Sequence, residues 1–396
     1  MSIYEYFLIF LALIFCGYAS WTDLKTQKIR NVCSLGLLYG GTLSQRGTAI
    51  KKQNRHCRGN LRSMQFLDAY LLHLRAFVDV RRFAEKWIVL NANSGLAGQI
   101  AEQLLVDTSI QVCQRLFTEP DGSFAEIPGG RPDPLRPENR GLTTSAVQQT
   151  GADLAVAWDA DADRCFFFDE TGAFVEGCYI TALLAKKLLR QRGRGRVIFD
   201  PRAVWAVENA VVSGGGVPIL SRCGHSFIKA GMRESKALFA GEASGHYYFR
   251  DNFYADNGMI PFLLMLEYLS VQGMSLAEAV NPLRVAYPVS GEINFSFETR
   301  CGMRDAVGVL KAAMHCWGES CIEAPIDGLS VRFPSASGSW RFNLRESNTE
   351  PLLRLNLETT ADEKLLIEKT VKISEKLERI GGSRETKFRW EPEKFI

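Results

Sequence analysis

The sequence predicts an α/β protein: consecutive α/β domains with mixed sheets, followed by a C-terminal α+β domain and preceded by an N-terminal apolar helix. Three observations carry this reading. Short apolar runs alternate with segments of helical apolar spacing from Trp87 to Ala240, the order changes after Glu292 to strand, helix, several strands and a last amphipathic helix, and Tyr6 to Trp21 is almost wholly apolar. With 396 residues, 46% of them apolar, the chain can bury two to four cores of about 100–200 residues each.

The apolar run Tyr6–Trp21 falls slightly short of the about 20 residues that span a bilayer, and Glu5 precedes it where a secretory signal would be basic. A cleaved signal is not expected. Lys25, Lys28 and Arg30 follow, then Arg46, Lys51, Lys52, Arg55, Arg58 and Arg62 with no acid between Gln45 and Ser63. The positive-inside bias therefore leaves the body cytoplasmic, with residues 6–21 anchoring it to the inner face of the membrane, packing on it as an apolar helix, or lying disordered outside a membrane. Ten cysteines lack any CxxC pair or metal spacing, and Cys16 and Cys165 lie beside apolar runs as buried free thiols would. A formal charge of +3 without a basic stripe excludes nucleic acid as an expected partner.

The first βα unit is Trp87–Ala92, a turn with a cap at Asn93-Ser94-Gly95, and a helix from Leu96 to Leu105. Pro120 to Pro137 reads as a surface loop. Leu154–Trp158 and Cys165–Phe168 read as strands joined by Asp159-Ala160-Asp161-Ala162-Asp163-Arg164, and Asp169-Glu170-Thr171-Gly172 closes the second as a turn. Next come a strand at Arg196–Phe199 with a helix from Ala203, a strand at Val217–Leu220 with a helix near Phe227 to Arg233, and a strand Ala237–Ala240 ending at Gly241-Glu242-Ala243-Ser244-Gly245-His246. In the last part Arg345, Ser347, Asn348 and Thr349 form a tight polar loop between strands Trp340–Leu344 and Leu352–Leu357, before a final helix from Asp362 to Ile380. These changes divide the chain at 1–62, 66–175, 176–288 and 289–396.

Three aspartates at alternate positions put three carboxylates around one small volume, as a hard divalent cation requires. An EF-hand is excluded, because Arg164 stands where its glycine must be and apolar strands replace its flanking helices. A solvated acidic turn is the plainer alternative. In the second string Glu242 and Ser244 offer an acceptor and a hydroxyl to sugar oxygens, and His246 can exchange a proton near neutrality. Taken alone, that string reads more simply as a glycine-rich turn with an N-cap serine, and His225 likewise as the start of a helix. Around Arg345, hydroxyls, backbone N–H groups and a guanidinium on one turn make a phosphate cradle, with a polar hairpin tip as the alternative.

In combination and in this order the three strings resemble the α-D-phosphohexomutase superfamily, from about Leu67 to Glu358. The resemblance extends to Asp68-Ala69-Tyr70, Pro132-Asp133-Pro134-Leu135, Tyr247-Tyr248-Phe249-Arg250-Asp251 and Ser290-Gly291-Glu292-Ile293-Asn294. It implies a phosphate shift between O1 and O6 of mannose or glucose phosphate. Asp159, Asp161 and Asp163 would hold Mg²⁺, Arg164 would orient the phosphoryl group, and His225, Lys229 and His246 would lie near the reacting oxygens. Glu242 and Ser244 would read sugar hydroxyls, while Arg345, Ser347, Asn348 and Thr349 would grip the other phosphate. The family's phosphoserine string, Thr-Ala-Ser-His-Asn-Pro, occurs nowhere in the sequence, so turnover is expected to be weak or lost in this chain alone. A membrane-tethered phosphosugar-binding protein is the alternative. Ala160 replaces the metal loop's usual glycine, at an expected cost in turn flexibility, and Glu346 must point away from the phosphate. Separately, Ala19 to Asn31 resembles the first catalytic loop of prepilin peptidases, with Asp23 as its aspartate. Arg30 stands for that family's proline and the second aspartate is absent, so protease activity is not expected.

Overall fold

A computed structural model describes residues 66–315, 322–323, 326–335, 338–347 and 352–384. The expected N-terminal helix, the basic stretch and Asp23 lie outside the described residues, as do Asn348 and Thr349.

Helix α1 (Leu67–Arg75) leads into β1 (Lys86–Asn91), α2 (Ala97–Leu105), β2 (Ile110–Leu116), α3 (Gly141–Thr150), β3 (Leu154–Trp158), β4 (Cys165–Phe168) and β5 (Phe174–Val175). These strands form one sheet in the order β2-β1-β3-β4-β5, parallel through the first three and antiparallel beyond. Next follow α4 (Gly177–Arg192), β6 (Arg196–Phe199), α5 (Trp205–Ser213), β7 (Val217–Leu220), α6 (His225–Ser235), β8 (Phe239–Gly241), β9 (Tyr247–Phe249) and β10 (Ala255–Asp256). The second sheet runs β7-β6-β8-β9-β10, again parallel through three strands and antiparallel beyond. One topology is thus used twice. Ligand-binding turns of such sheets cluster at the carboxyl ends of the strands, and here the same two turns recur in each: the one after the first strand, and the hairpin between the third and fourth.

Helices α4 and α7 (Met259–Gln272) are buried along most of their length and share one core with strands of both sheets, including Trp158, Phe167, Phe199 and Tyr247. Trp158 donates its indole N–H to the Gly258 carbonyl at 2.9 Å, tying β3 to the start of α7. Within this core Lys187 and Glu267 form a buried ion pair, and Glu267 also accepts the Asp79 N–H. Among the described residues no single helix is long and apolar enough to cross a membrane.

After α8 (Leu276–Ala286), the last part comprises β11 (Ile293–Ser296), α9 (Arg300–His315), β12 (Ile322–Glu323), β13 (Leu329–Phe333), β14 (Trp340–Glu346), β15 (Leu352–Thr359), α10 (Glu363–Arg379) and β16 (Ser383–Arg384). Its sheet, β12-β13-β14-β15-β11-β16, is antiparallel throughout, with its own core. On β14 the alternate residues Trp340, Phe342 and Leu344 enter that core, as the period of two predicts. Arg341, Asn343 and Arg345 occupy the opposite face, yet are only 4%, 0% and 7% exposed. That polar face is an internal interface. Glu358 of β15, fully buried, accepts hydrogen bonds from the N–H groups of Val204 and Trp205 at the start of α5 (2.7 and 3.0 Å) and from Arg341 (2.6 Å). Arg341 also donates to the Pro201 carbonyl at 2.7 Å. The carboxylate satisfies helix N-terminal donors that otherwise have no partner, and the clamp fixes the third sheet against the turn after β6.

Several expected boundaries shift. The strand expected at Ala237–Ala240 is Phe239–Gly241, and the helix near Phe227 to Arg233 is the longer α6. The cap expected at Asn93-Ser94 is absent from α2. Asn93 instead donates its amide to the Trp158 carbonyl at 2.7 Å, bracing the strand that ends at the aspartates.

Candidate functional site

The two hairpin turns are the first and second motif strings. Asp159–Arg164 joins β3 to β4, Gly241–His246 leads from β8 into β9, and the turns meet in a β-bridge between Arg164 and His246. The turns after β1 and β6 brace them in parallel fashion. Asn93 holds Trp158, as described, while Asp200 accepts the Ala243 N–H at 2.8 Å. Gly245 has φ 85°, and a Cβ there would lie 2.8 Å from the Phe166 ring, so only glycine lets the second turn lie this close to β4.

In the first turn, ligand oxygens of Asp159, Asp161 and Asp163 lie within 4.8 Å of one another. Burial pushes the Asp159 and Asp161 carboxyls up, and the neighbouring Asp163 charge raises both further. Burial acts on Asp163 in the same direction, but His246 and Arg164 outweigh it and hold its carboxyl below the usual range. Three converging carboxylates that resist simultaneous ionisation are an all-oxygen donor set suited to a divalent cation, whose charge would relieve their repulsion. Arg164 lies 3.3 Å from Asp159 and 3.4 Å from Asp133, which hold its guanidinium over the loop. Ala160 does not adopt a left-handed conformation. The residue that does is Ala162 (φ 57°), so the expected cost of replacing glycine falls two residues later.

In the second turn, His246 Nδ1 lies 3.1 Å from the Ser244 hydroxyl and Nε2 lies 3.5 Å from Asp163. Burial works against the imidazolium, but the Asp163 charge outweighs it and the imidazole pKa is raised. Glu242 is 3% exposed; it accepts hydrogen bonds from the Tyr248 hydroxyl at 2.7 Å and the Gly224 N–H at 2.9 Å. Glycine at 224, with φ 113°, opens α6 at His225, whose half-buried ring has no hydrogen-bond partner among the described residues. Lys229, one turn on, pairs with Asp256 at 2.9 Å and lies 5.9 Å from the centre of the Tyr248 ring.

The third string departs from its expected geometry. Arg345 and Glu346 belong to β14 and do not form part of a tight loop, because the ladder continues to Arg345–Arg354 and Glu346–Leu353. Strand alternation then sends the two side chains to opposite faces. Arg345 faces inward, 3.5 Å from Glu292, and Glu346 turns to Arg304 on α9 at 3.6 Å, away from the cradle as required. Ser347 is buried, with its hydroxyl 3.4 Å from Arg354.

Arg202 and Asp200 were not singled out by the motifs, and Glu292 lay in the Ser290-Gly291-Glu292-Ile293-Asn294 stretch without a role of its own, yet the three join the three strings. Arg202 is paired with Asp200 at 2.6 Å, lies 3.2 Å from the Ser244 hydroxyl and 3.5 Å from Glu242, and reaches Glu292 at 3.8 Å. Asp200-Pro201-Arg202 directly follows the apolar strand β6, and a polar turn at a strand's carboxyl end was the available signal. One seam of charge therefore runs from Asp159 through His246, Glu242 and Arg202 to Arg345 and Ser347.

A repeated α/β sheet topology, an acidic turn facing a Gly-Glu turn and an arginine-lined third sheet define a multidomain α/β protein with its charged groups gathered at strand ends. Two family models match the chain: phosphoglucomutase/phosphomannomutase alpha/beta/alpha domain II over residues 68–172, and domain III over residues 176–287. Phosphohexose mutases of Xanthomonas campestris are 46% identical over 307 residues, which is 77% of this chain and 65% of theirs. The phosphomannomutase of Salmonella montevideo is 40% identical over 325 residues, 81% of this chain and 68% of its own. A solved phosphoglucomutase/phosphomannomutase family protein from Burkholderia thailandensis superposes with a TM-score of 0.67 at 26% identity, covering 81% of this chain and 66% of that one. The chain belongs to the phosphoglucomutase/phosphomannomutase family. It spans 65% and 68% of the length of the two curated relatives.

Proposed function

We propose that this chain is a phosphomannomutase/phosphoglucomutase-type phosphohexomutase that binds a mannose or glucose phosphate and serves the shift of phosphate between O1 and O6. Turnover by this chain alone is weak or lost, because it contains no Thr-Ala-Ser-His-Asn-Pro string to carry the phosphoserine. The observation that carries the binding reading is the meeting of the two hairpin turns at Arg164 and His246, with Arg202 linking them to Arg345.

Asp159, Asp161 and Asp163 hold Mg²⁺, which supplies charge neutralisation to a transferring phosphoryl group when bound. Arg164, held by Asp133 and Asp159, orients that group. Asp163 raises the pKa of His246, which can return a proton to a sugar oxygen, while Lys229 and His225, one turn apart on α6, serve the reacting oxygens. Glu242 and Ser244 read the sugar hydroxyls, and Arg345, Ser347, Asn348 and Thr349 grip the non-reacting phosphate. Phosphoryl transfer asks chiefly for positioning and charge stabilisation, which such a set supplies. Residues 66–175, 176–288 and 289–396 are the three units that contribute these groups.

The test is conversion of mannose 1-phosphate to mannose 6-phosphate with Mg²⁺ and a hexose bisphosphate, beside calorimetric binding of mannose 6-phosphate and an Asp161→Ala control. Binding with little or no conversion is expected. Conversion that disappears in the control overturns the low-turnover part, and absence of both binding and conversion overturns the whole reading. The apolar run Tyr6–Trp21 favours a second reading, a membrane-tethered phosphosugar-binding protein, which requires the intact chain to partition into vesicles and to bind without any turnover.

A further inference from the structure

Two contrasting ion-pair systems lie where the third sheet meets the turn after β6. Arg341–Glu358 and Arg202–Asp200 are tight, at 2.6 Å each. Around Glu292, by contrast, Arg354 stands at 3.4 Å, Arg345 at 3.5 Å and Arg202 at 3.8 Å. Charge-assisted hydrogen bonds close to about 2.7–2.9 Å, so none of the three guanidiniums is fully engaged by this carboxylate. Arg202 is already matched by Asp200. Arg345 and Arg354 have only Glu292 as an ion-pair partner among the described residues, and the Nε of each is buried with no hydrogen-bond acceptor. Arg345 is 7% exposed, so water does not readily make up the deficit. Buried donors without acceptors are costly and rare in finished sites. These two arginines are arranged for an acceptor that is not part of the described protein.

We infer that Glu292 is the resident counter-ion of the phosphate cradle, a positioning residue that keeps Arg345 and Arg354 drawn together when no anion is bound and that competes with the anion when one arrives. The inference rests on the cradle reading given under Proposed function and adds a residue to it. Both carboxylate oxygens are used, Oε1 toward Arg354 and Oε2 toward Arg345 and Arg202, so one side chain spans the cradle. Without it, two like charges 3.4 and 3.5 Å from a common point would splay the strand ends apart. A phosphate dianion brings more charge and more acceptor positions than a carboxylate, so it takes over the free Nε–H donors. Glu292 then keeps Arg202, which also touches Ser244 and Glu242. Filling of the cradle is thereby communicated to the sugar-reading turn through one guanidinium.

The experiment is calorimetric titration of the full chain with inorganic phosphate, without Mg²⁺, in wild type, Glu292→Gln, Glu292→Asp and Arg345→Ala. Removing a unit charge a few ångströms from an anion site changes its affinity by about tenfold. Glu292→Gln is therefore expected to bind phosphate about tenfold more tightly, with a steeper loss of affinity as salt is raised. A purely structural role would give weaker binding instead. Glu292→Asp, whose carboxylate is withdrawn by one methylene, should fall between the two, and it carries the test if Glu292→Gln does not fold. Unchanged or weaker binding in the Glu292 variants, with Arg345→Ala still impaired, overturns the counter-ion and leaves the cradle standing. If Arg345→Ala binds as well as wild type, the cradle reading fails, and this inference with it.

Discussion

Replacing Glu358 with alanine should be among the most damaging single changes in the described part of the chain. The carboxylate is fully buried and is the acceptor for Arg341 and for the N–H groups of Val204 and Trp205. Truncation leaves the Arg341 guanidinium, 4% exposed, with only the Pro201 carbonyl as partner among the described residues. An uncompensated buried charge costs about 3–5 kcal/mol. Two orphaned helix N-terminal donors would add about 1–3 kcal/mol each if they stayed dry, but water entering the space left by the carboxylate recovers part of this, so about 4–6 kcal/mol is expected in total. The assay is urea unfolding followed by tryptophan fluorescence, since Trp205 and Trp340 flank the clamp. The cycle is completed with Arg341→Ala and the double variant. Once Glu358 is gone, removing Arg341 should cost little or even restore stability, giving a coupling of about 2–3 kcal/mol. A loss below about 1 kcal/mol for Glu358→Ala, or strict additivity of the two changes, would refute the claim that this clamp holds the third sheet in place.

Two further outcomes follow from the metal turn. Mg²⁺ should raise the thermal midpoint of the wild-type chain, by an amount corresponding to about 2.7 kcal/mol at a hundredfold excess over the dissociation constant, and Asp161→Ala should abolish the rise. An equal rise in both proteins would place the cation elsewhere. Ala162→Gly should stabilise the metal-free chain by about 0.5–1 kcal/mol by relieving the left-handed φ of 57°, whereas Ala160→Gly should not. Thermal melts of the two variants, compared side by side, decide it.

The strands and both hairpin turns were legible in the sequence because local signals define them. A buried strand such as Leu154–Trp158 is a short apolar run wherever it sits, and an aspartate cluster or a Gly-Glu turn at its end stands out without any knowledge of what lies opposite. Arg345 was placed one element too far along for a related reason. A charged residue near a turn reads as loop, and only the pairing of β14 with β15 through Arg345–Arg354 and Glu346–Leu353 keeps it in the ladder. The polar alternation of Arg341, Asn343 and Arg345 reads as a solvent-facing side of a strand, and nothing local says that another part of the chain covers it.

By itself, the sequence determined the fold class, the order of the elements and the residue types of the acidic, Gly-Glu and arginine strings, because these depend on periodicity, turn chemistry and short-range spacing. Only the tertiary structure decided how the strings relate. It revealed that the first two occupy the same hairpin of a repeated sheet topology and meet at Arg164 and His246, and that Arg202 and Glu292 carry the connection to Arg345. Those two residues are single charges in ordinary local settings. Their meaning comes from burial and, beyond the local Arg202–Asp200 pair, from partners forty or more residues away, and burial of a charge is a property of the packed chain that no local window of sequence contains.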